Sequence, residues 1–310
     1  EARPPSGTYR LSRFLRRNRA AVILGVVVVA WLGVLGVSWR ITRAQNERLH
    51  KERADALEGM RQNARVSVDA ALRLRRAGDA EGTKYFLPSL EAAYRQAQLL
   101  APGTAEAEYL MGRMYRALMK DDEALAYQGR ALAKDPDYAP AIYERIVLHA
   151  RKYDVAFRTA TRSILAQEIN RTTTAGAHVT QVPTAEEAHR SMPGLGATRD
   201  SLIADCGRLR ALTRAGLRPD DLRWMGPAHA LAADGILAYC EQRYEEGRAR
   251  LEETVKHERL MEEAWEALAR ILERQEMGAR TYEEKELLRR RAEQVYTEAL
   301  STDQAYPPFY

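Results

Sequence analysis

The sequence predicts an all-α protein in which a single N-terminal transmembrane helix is followed by an α-solenoid of helix-turn-helix repeats. Three observations predict this class. Residues 20–37 contain no charged side chain. Beyond them the chain is dominated by Ala, Leu, Arg and Glu, which are strong helix formers. In that part of the chain, small, aromatic and proline residues recur in the same order and at a constant spacing.

The apolar run at residues 20–37 is long enough to cross a bilayer core as one helix, at about 1.5 Å per residue. A signal peptide is the first alternative, but it has a shorter apolar region and a small-residue cleavage site. This run is followed by Ser38, Trp39 and Arg40, which make a poor cleavage site. A buried core helix is the second alternative, and it would show a polar stripe. We therefore predict a permanent transmembrane helix at 20–39.

The charge distribution predicts the orientation of this helix. The chain has 48 basic and 43 acidic residues, a net charge of +5, and residues 1–20 alone hold six Arg and one Glu. The rest of the chain is therefore neutral, which argues against a nucleic-acid partner. Basic clusters beside a membrane helix stay cytoplasmic. We expect residues 1–19 to be a cytoplasmic juxtamembrane segment and the long C-terminal region to be extracytoplasmic.

Residues 40–77 are predicted to form an amphipathic helical linker. Apolar residues recur there at spacings of three and four, which places them on one face of a helix; they are Leu57, Met60, Ala64, Val68 and Ala71. This face is expected to pack on the domain that follows. The alternative is packing on a second copy of the chain, which would give a homodimer.

Helix pairs are predicted in two stretches, 78–169 and 201–310. In the clearest pair, small residues allow two helices to approach closely, an aromatic residue fills the space beside them, and a proline ends the second helix. These residues are Gly112, Tyr115, Ala124, Ala131 and Pro136. The pattern resembles the tetratricopeptide repeat (TPR), a helix-turn-helix unit of about 34 residues. It departs from that repeat at Gln128, where a large apolar residue is usual.

The same register recurs before and after this pair. Ala97 and Pro102 stand one repeat length before Ala131 and Pro136. Further on, the pattern places Gly235 and Gly247 at helix crossings and Trp265 near the start of another unit, so these three are predicted packing residues together with the five above. The resemblance therefore implies a TPR-like solenoid interrupted by residues 170–200.

Residues 170–200 are predicted to be a loop insertion, because they are rich in Thr, Gly, Ser and Pro. A plain linker between two repeat arrays is the alternative. The only two cysteines of the chain, Cys206 and Cys240, lie near the start of the second array. They are either buried thiols or, in an oxidising compartment, a disulfide.

No catalytic, cofactor-binding or metal-ligating residues are predicted. The chain has no His-Glu-x-x-His, no Cys-x-x-Cys and no phosphate-binding glycine loop, so it is not expected to be an enzyme by itself. A solenoid presents a concave face lined by the first helix of each pair. The residues expected there form a groove suited to an acidic or C-terminal peptide; they are Tyr109, Arg113, Arg116, Tyr143 and Arg151.

The N-terminal region carries a second resemblance. The string Arg13 to Arg19, the Val- and Ala-rich span, and then Arg43 to Asn46 are similar to the segment after the kinase domain in bacterial transmembrane serine/threonine kinases. The resemblance implies a bacterial inner-membrane protein, a single pass, and a kinase domain before Glu1. The chain would then be a non-catalytic sensor or docking region for a protein or peptide partner. The alternative is a free-standing membrane-anchored scaffold, such as an envelope assembly or chaperone-like factor.

Overall fold

The computed structural model describes residues 19–76, 78–100, 103–175, 185–259, 261–279 and 281–302. Throughout these ranges the chain forms helices joined by short connections, and none of the described residues lies in a strand. The chain divides into two compact units, residues 1–59 and residues 60–310. The prediction of an all-α fold is confirmed for this part of the chain.

The helices are named here in chain order. They are α1 (Arg19–Arg76), α2 (Ala80–Lys84), α3 (Leu87–Leu100), α4 (Ala105–Ala117), α5 (Asp121–Lys134), α6 (Ala139–Ala175), α7 (Ala185–Ser191), α8 (Pro193–Ala215), α9 (Pro227–Cys240), α10 (Tyr244–His257), α11 (Glu262–Gly278) and α12 (Tyr282–Thr302). A 3₁₀ turn, Asp221–Arg223, lies between α8 and α9.

In the first unit, the described large apolar side chains between Leu24 and Ile41 are 47% to 68% exposed. Among the residues that the structure describes, no helix has both the length and the apolar character needed to cross a membrane. The predicted membrane span falls partly outside this set, because the side chains of residues 19–23, 25–26 and 29–30 are not described. The predicted juxtamembrane segment before Arg19 also lies outside the described residues.

In the second unit, the end of α1 carries the predicted apolar stripe. Met60, Ala64, Val68 and Ala71 are all buried, which confirms the stripe within residues 60–76. Polar contacts flank it: Arg61 pairs with Glu106 at the start of α4. The stripe is therefore an intramolecular packing surface in this structure.

The later helices pack as neighbours in four pairs: α4 with α5, α6 with α8, α9 with α10, and α11 with α12. The first helices of these pairs also contact one another in order, α4 with α6, α6 with α9, and α9 with α11. They therefore form one row, and the second helices lie on its other side. This arrangement is compatible with an α-solenoid.

The predicted small residues lie where helices cross. A Cβ atom added to Gly235 would lie 2.6 Å from Cγ of Leu251, and one added to Gly247 would lie 2.9 Å from Cδ1 of Ile271. Both distances are shorter than carbon contacts allow. Glycine is required at these two positions because the backbones of α9, α10 and α11 approach closely.

Gln128 stands where the predicted pattern would have a large apolar residue, and its contacts explain how a polar side chain fits there. Its side chain is fully buried, and its Nε2 donates a 3.2 Å hydrogen bond to the carbonyl oxygen of Tyr109. A Cβ on Gly112 would collide with this amide, at 2.3 Å from Nε2. The glycine therefore makes room for a large polar side chain, and the backbone of α4 satisfies its donor.

The other predicted packing residues also lie in the helix pairs. Ala124 and Ala131 are fully buried, and Tyr115 stacks on Tyr127 with ring centroids 5.0 Å apart. Trp265 is 4% exposed, and its Nε1 donates to the carbonyl oxygen of Arg259 at 2.8 Å. Pro136 lies just beyond the end of α5, as predicted.

The prediction of a loop at 170–200 is wrong for much of that segment. Helix α6 continues to Ala175, α7 covers Ala185–Ser191, and α8 already begins at Pro193; residues 176–184 lie outside the described part. For α8, the physical reason is the position of Pro193. Proline in the first turn of a helix has a suitable fixed φ and no N–H to leave unpaired, so it starts a helix as readily as it makes a turn.

The alternative of a disulfide is not realised, because Cys206 and Cys240 are free thiols and both are buried. Burial raises the pKa of Cys206 to about 12 and raises that of Cys240 well above its usual value. The Sγ of Cys206 donates to the carbonyl oxygen of Ala233 at 3.6 Å. The two thiols are therefore protonated packing groups between α8 and α9.

Candidate functional site

The face formed by the first helices of the pairs holds the predicted groove residues. Tyr109 of α4 and Tyr143 of α6 are one predicted repeat length apart in the sequence. Both side chains are buried, at 3% and 5% exposure. The structure therefore brings these two residues to one face, but it packs their rings into the domain instead of leaving them in an open groove.

Arg116 connects α4 to α6, α11 and the end of α1 through buried polar contacts. Its side chain is 2% exposed, and its Nη1 lies 2.8 Å from Oε2 of Glu144 on α6. Its Nη2 pairs with Glu263 on α11, and its carbonyl oxygen accepts a 3.1 Å hydrogen bond from Arg75. The prediction that Arg116 lines a peptide groove is wrong, because two carboxylates of its own domain already occupy the guanidinium.

Arg116, Glu144 and Glu263 form a buried ion triad, called the triad below. Burial alone would raise the pKa of Glu263, but the charge and hydrogen bond of Arg116 and a backbone N–H lower it below its usual value. Burial would lower the pKa of Arg116, yet Glu144 and Glu263 raise it well above the ordinary arginine value. Arg116 and Glu263 are therefore both charged at neutral pH, and each stabilises the charge of the other.

Above the triad lies a cleft of about 410 Å³, called the acidic cleft below. Its lining has five carboxylates, three guanidinium groups and four aromatic or imidazole rings. The carboxylates are Asp69, Glu144, Glu258, Glu262 and Glu263. The guanidinium groups are Arg65, Arg113 and Arg223. The rings are Tyr109, Tyr143, Trp224 and His229.

The rings of the acidic cleft pack against one another at their edges. Trp224 meets Tyr109 at a centroid distance of 5.4 Å, and His229 meets Tyr143 at 4.7 Å. His229 Nδ1 accepts a 3.0 Å hydrogen bond from the backbone N–H of Gly226, which fixes the ring at the start of α9. Burial is the main cause that lowers the pKa of His229, although nearby carboxylates raise it. The imidazole is therefore neutral at neutral pH.

Arg113 lines the acidic cleft, as predicted, but its charge is taken up by the domain. Its Nη2 lies 3.6 Å from Asp69 of α1, and its Nε lies 3.3 Å from Glu144. Its guanidinium carbon also lies 6.0 Å from the centre of the Tyr109 ring. The expected affinity for an acidic peptide loses its physical basis here, since carboxylates outnumber guanidinium groups in the lining.

Arg151 lies in a different place from the other predicted groove residues. It lines a smaller cleft of about 70 Å³, with Asp154, Glu266 and Arg270. Its Nη1 lies 3.0 Å from Asp121 at the start of α5. The five predicted groove residues are therefore divided: Tyr109, Arg113 and Tyr143 line the acidic cleft, Arg116 lies beneath it, and Arg151 lies elsewhere. Glu263 lines both clefts.

The sequence did not predict the residues of the acidic cleft that lie outside the four helix pairs. Trp224 belongs to the connection between α8 and α9, and its Nε1 donates to Glu106 at 3.1 Å. Arg65 and Asp69 come from the end of α1. A tryptophan in a connection was the one available signal, since large aromatic residues in such segments commonly have a packing or binding role.

Within the described residues, no group of three or more metal-ligating side chains is assembled. Comparison of the chain with known protein families finds no match. Comparison with curated proteins also finds no match.

Proposed function

We propose that this chain is a membrane-anchored protein-interaction domain built from TPR-like repeats, and that the acidic cleft receives a peptide segment of the partner. One observation carries the proposal: the cleft lies on the row of first helices, the face with which solenoids of stacked helix pairs bind their ligands. Its volume of about 410 Å³ accommodates a few side chains.

Helix geometry supports the repeat assignment. The pairs recur with glycine at Gly112, Gly235 and Gly247, where the neighbouring helix approaches too closely for a Cβ. Four adjacent pairs exceed the number that a repeat array needs to bury its faces. A rigid row of helices then holds the cleft residues in fixed positions, which lowers the entropy lost on binding.

The peptide-binding proposal is tested with the full chain in mild detergent and a library of random nonapeptides. We expect peptides to be enriched, and we expect Leu222→Trp to lower their capture at least tenfold. Leu222 lines the cleft and is 56% exposed, so a larger ring fills the mouth without disturbing the core. Leu287→Trp is the matched control, at 63% exposure on α12. Equal capture by the Leu222 variant, or no enrichment at all, contradicts the proposal.

Membrane anchoring forms a second part of the proposal. It rests on the eighteen uncharged residues at 20–37, on the arginine cluster before them, and on the exposed apolar side chains between Leu24 and Ile41. The chain is expected to float with liposomes and to resist extraction at high pH. Replacing Leu32 and Leu35 together by Arg should release it, because each charge at mid-bilayer depth costs about 2.5–3.5 kcal/mol. Retention of that double variant contradicts anchoring by this segment.

We further propose that the domain is the sensor or docking region of a bacterial receptor-type serine/threonine kinase, with its N-terminus cytoplasmic and its repeats extracytoplasmic. The support is the resemblance of residues 13–46 to the segment after the kinase domain in such proteins. The intact mass of the native gene product tests this. A mass about 30 kDa above the 35.1 kDa of this chain is expected, at the usual size of a domain. A mass near 35.1 kDa favours a free-standing scaffold instead.

A further inference from the structure

We propose that the acidic cleft recognises a cationic side chain, arginine or lysine, on the partner peptide. The inference rests on the peptide-binding function proposed above and deepens it by naming the chemistry of the ligand. Three independent features of the cleft support it: the balance of charge in its lining, the groups that already fill part of it, and one buried hydroxyl without a partner.

The charge balance favours a cation. Five carboxylates line the cleft against three guanidinium groups, and the buried Arg116 beneath it adds a fourth. Arg113 is shared between Asp69 and Glu144, and Arg116 between Glu144 and Glu263. Glu258 is exposed at the rim and has no ion-pair partner among the described residues. An incoming cation therefore meets an available carboxylate, whereas an incoming anion meets an excess of negative charge.

The domain already places two of its own cations in this environment. Arg65 lies over the ring of Trp224 at 5.7 Å, and Arg113 lies over the ring of Tyr109 at 6.0 Å. Each of them also lies near Asp69, at 3.9 Å and 3.6 Å. These contacts combine a carboxylate with an aromatic face, an arrangement that binds guanidinium and ammonium groups. The remaining ring pair, Tyr143 with His229, has no such cation over it among the described residues.

The third feature is the hydroxyl of Tyr143, a polar group in the lining of the cleft. Tyr143 is 5% exposed and lines the cleft. Its hydroxyl is buried and has no hydrogen-bond partner among the described residues. A buried polar group without a partner is costly. Burial also raises the pKa of Tyr143 well above its usual value, so the hydroxyl stays neutral and can accept a hydrogen bond from an ammonium or guanidinium N–H.

Three carboxylates of the lining act on this same pair of rings. Glu263, Glu258 and Glu144 all favour the protonated form of His229, the ring that contacts Tyr143. A ligand cation beside the rings of Tyr143 and His229 can donate a hydrogen bond to the hydroxyl of Tyr143. The carboxylate of Glu258, in the same lining, can balance its charge. This assigns Tyr143 and Glu258 as the residues that select the charge of the ligand.

The test uses the full chain in mild detergent and the nonapeptide library described above, read by sequencing the bound peptides. One peptide position should be enriched in Arg or Lys and depleted in Asp and Glu. For the best peptide, Glu258→Gln should weaken binding about tenfold, as expected for loss of one charge-assisted hydrogen bond. Glu253→Gln is the matched control, since Glu253 is exposed on α10 and does not line the cleft. Tyr143→Phe should weaken binding several-fold.

The outcomes separate this inference from the function on which it rests. In one outcome, peptides are enriched and Leu222→Trp abolishes the enrichment, but no peptide position favours Arg or Lys. This outcome overturns the cation proposal and leaves the peptide-binding proposal intact. Equal binding by the Glu258 and Glu253 variants overturns it as well. No enrichment of any peptide overturns both. Because Glu258 is an exposed side chain outside the helices, its variant is expected to keep the thermal unfolding midpoint of the parent, and that midpoint is measured alongside.

Discussion

Replacing Arg116 by Met tests the claim that a buried ion triad holds α4, α6 and α11 together. The substitution keeps the length of the side chain and its helix propensity but removes the charge that contacts both Glu144 and Glu263. Arg116 is 2% exposed, and water cannot replace it without opening the helix packing. Removing one partner of a buried pair typically costs about 3–5 kcal/mol. We expect the free energy of unfolding at pH 8 to fall by that amount.

The pH dependence gives the sharper signature. In the parent, the pKa of Glu263 is held below its usual value, so its contribution to stability is complete above about pH 4.5 and is lost as the pH falls through the lowered pKa. In the variant, burial and the neighbouring Glu144 raise the pKa of this carboxyl instead. Protonation then relieves the unpaired charge, and the variant should recover stability as the pH falls from 8 towards 5.

The assay is urea unfolding followed by circular dichroism at pH 8 and pH 5, with the full chain in the same detergent. Arg290→Met is the matched control, because Arg290 pairs with Glu286 on the exposed face of α12; its midpoint should not change. A loss below about 1 kcal/mol at pH 8 would refute the reasoning, since that is the range of an exposed pair. A loss that is the same at both pH values would also refute it.

Three further predictions concern stability and the cleft wall. Gly247→Ala should cost about 1–3 kcal/mol, because its Cβ would lie 2.9 Å from Ile271, whereas Gly129→Ala, on an open helix face, should gain about 0.5–1 kcal/mol; thermal unfolding compares them. Burial raises the pKa of Asp205 to about 6, although the charge of Arg145 lowers it. The free energy of unfolding should therefore fall as the pH rises towards 6 and the buried carboxyl ionises. Asp205→Asn should therefore gain up to about 3 kcal/mol on the parent between pH 4 and pH 7 in urea unfolding. Trp224→Ala should lower peptide capture severalfold, because it removes a ring from the lining of the acidic cleft; unchanged capture would contradict a role of this ring in binding.

The helix pairs were predictable because their signal is local. Gly235 and Gly247 are spaced as a close helix crossing requires, and the structure shows that neither position has room for a Cβ. The stripe from Met60 to Ala71 was equally predictable, since a period of about 3.6 residues indicates one buried face. The loop prediction at 170–200 failed because Pro193 and its neighbouring glycines have the same composition as a turn when they start a helix.

The candidate site was only half predictable. Tyr109 and Tyr143 were chosen from the predicted repeat spacing, and the structure places both at the acidic cleft. The burial of Arg116 did not follow, because it depends on Glu263, which is 147 residues away along the chain. Sequence spacing within one repeat gives the direction of a side chain, but it does not report which charge from a distant helix meets it. The same limit hid Trp224, whose partner Glu106 is 118 residues away.

The contact between Arg116 and Glu263 also affects how the four helix pairs are expected to unfold. Repeat arrays ordinarily behave as one-dimensional chains in which each unit interacts only with its neighbours, so the ends fray and partly folded forms are populated. Here the first of the four pairs is bonded directly to the last, at a sequence separation of 147 residues. Losing either end pair would leave a buried charge without its partner. The four pairs are therefore expected to melt in one cooperative step, with slower folding than a repeat array of purely local contacts, because the closing contact is made across a long loop of chain.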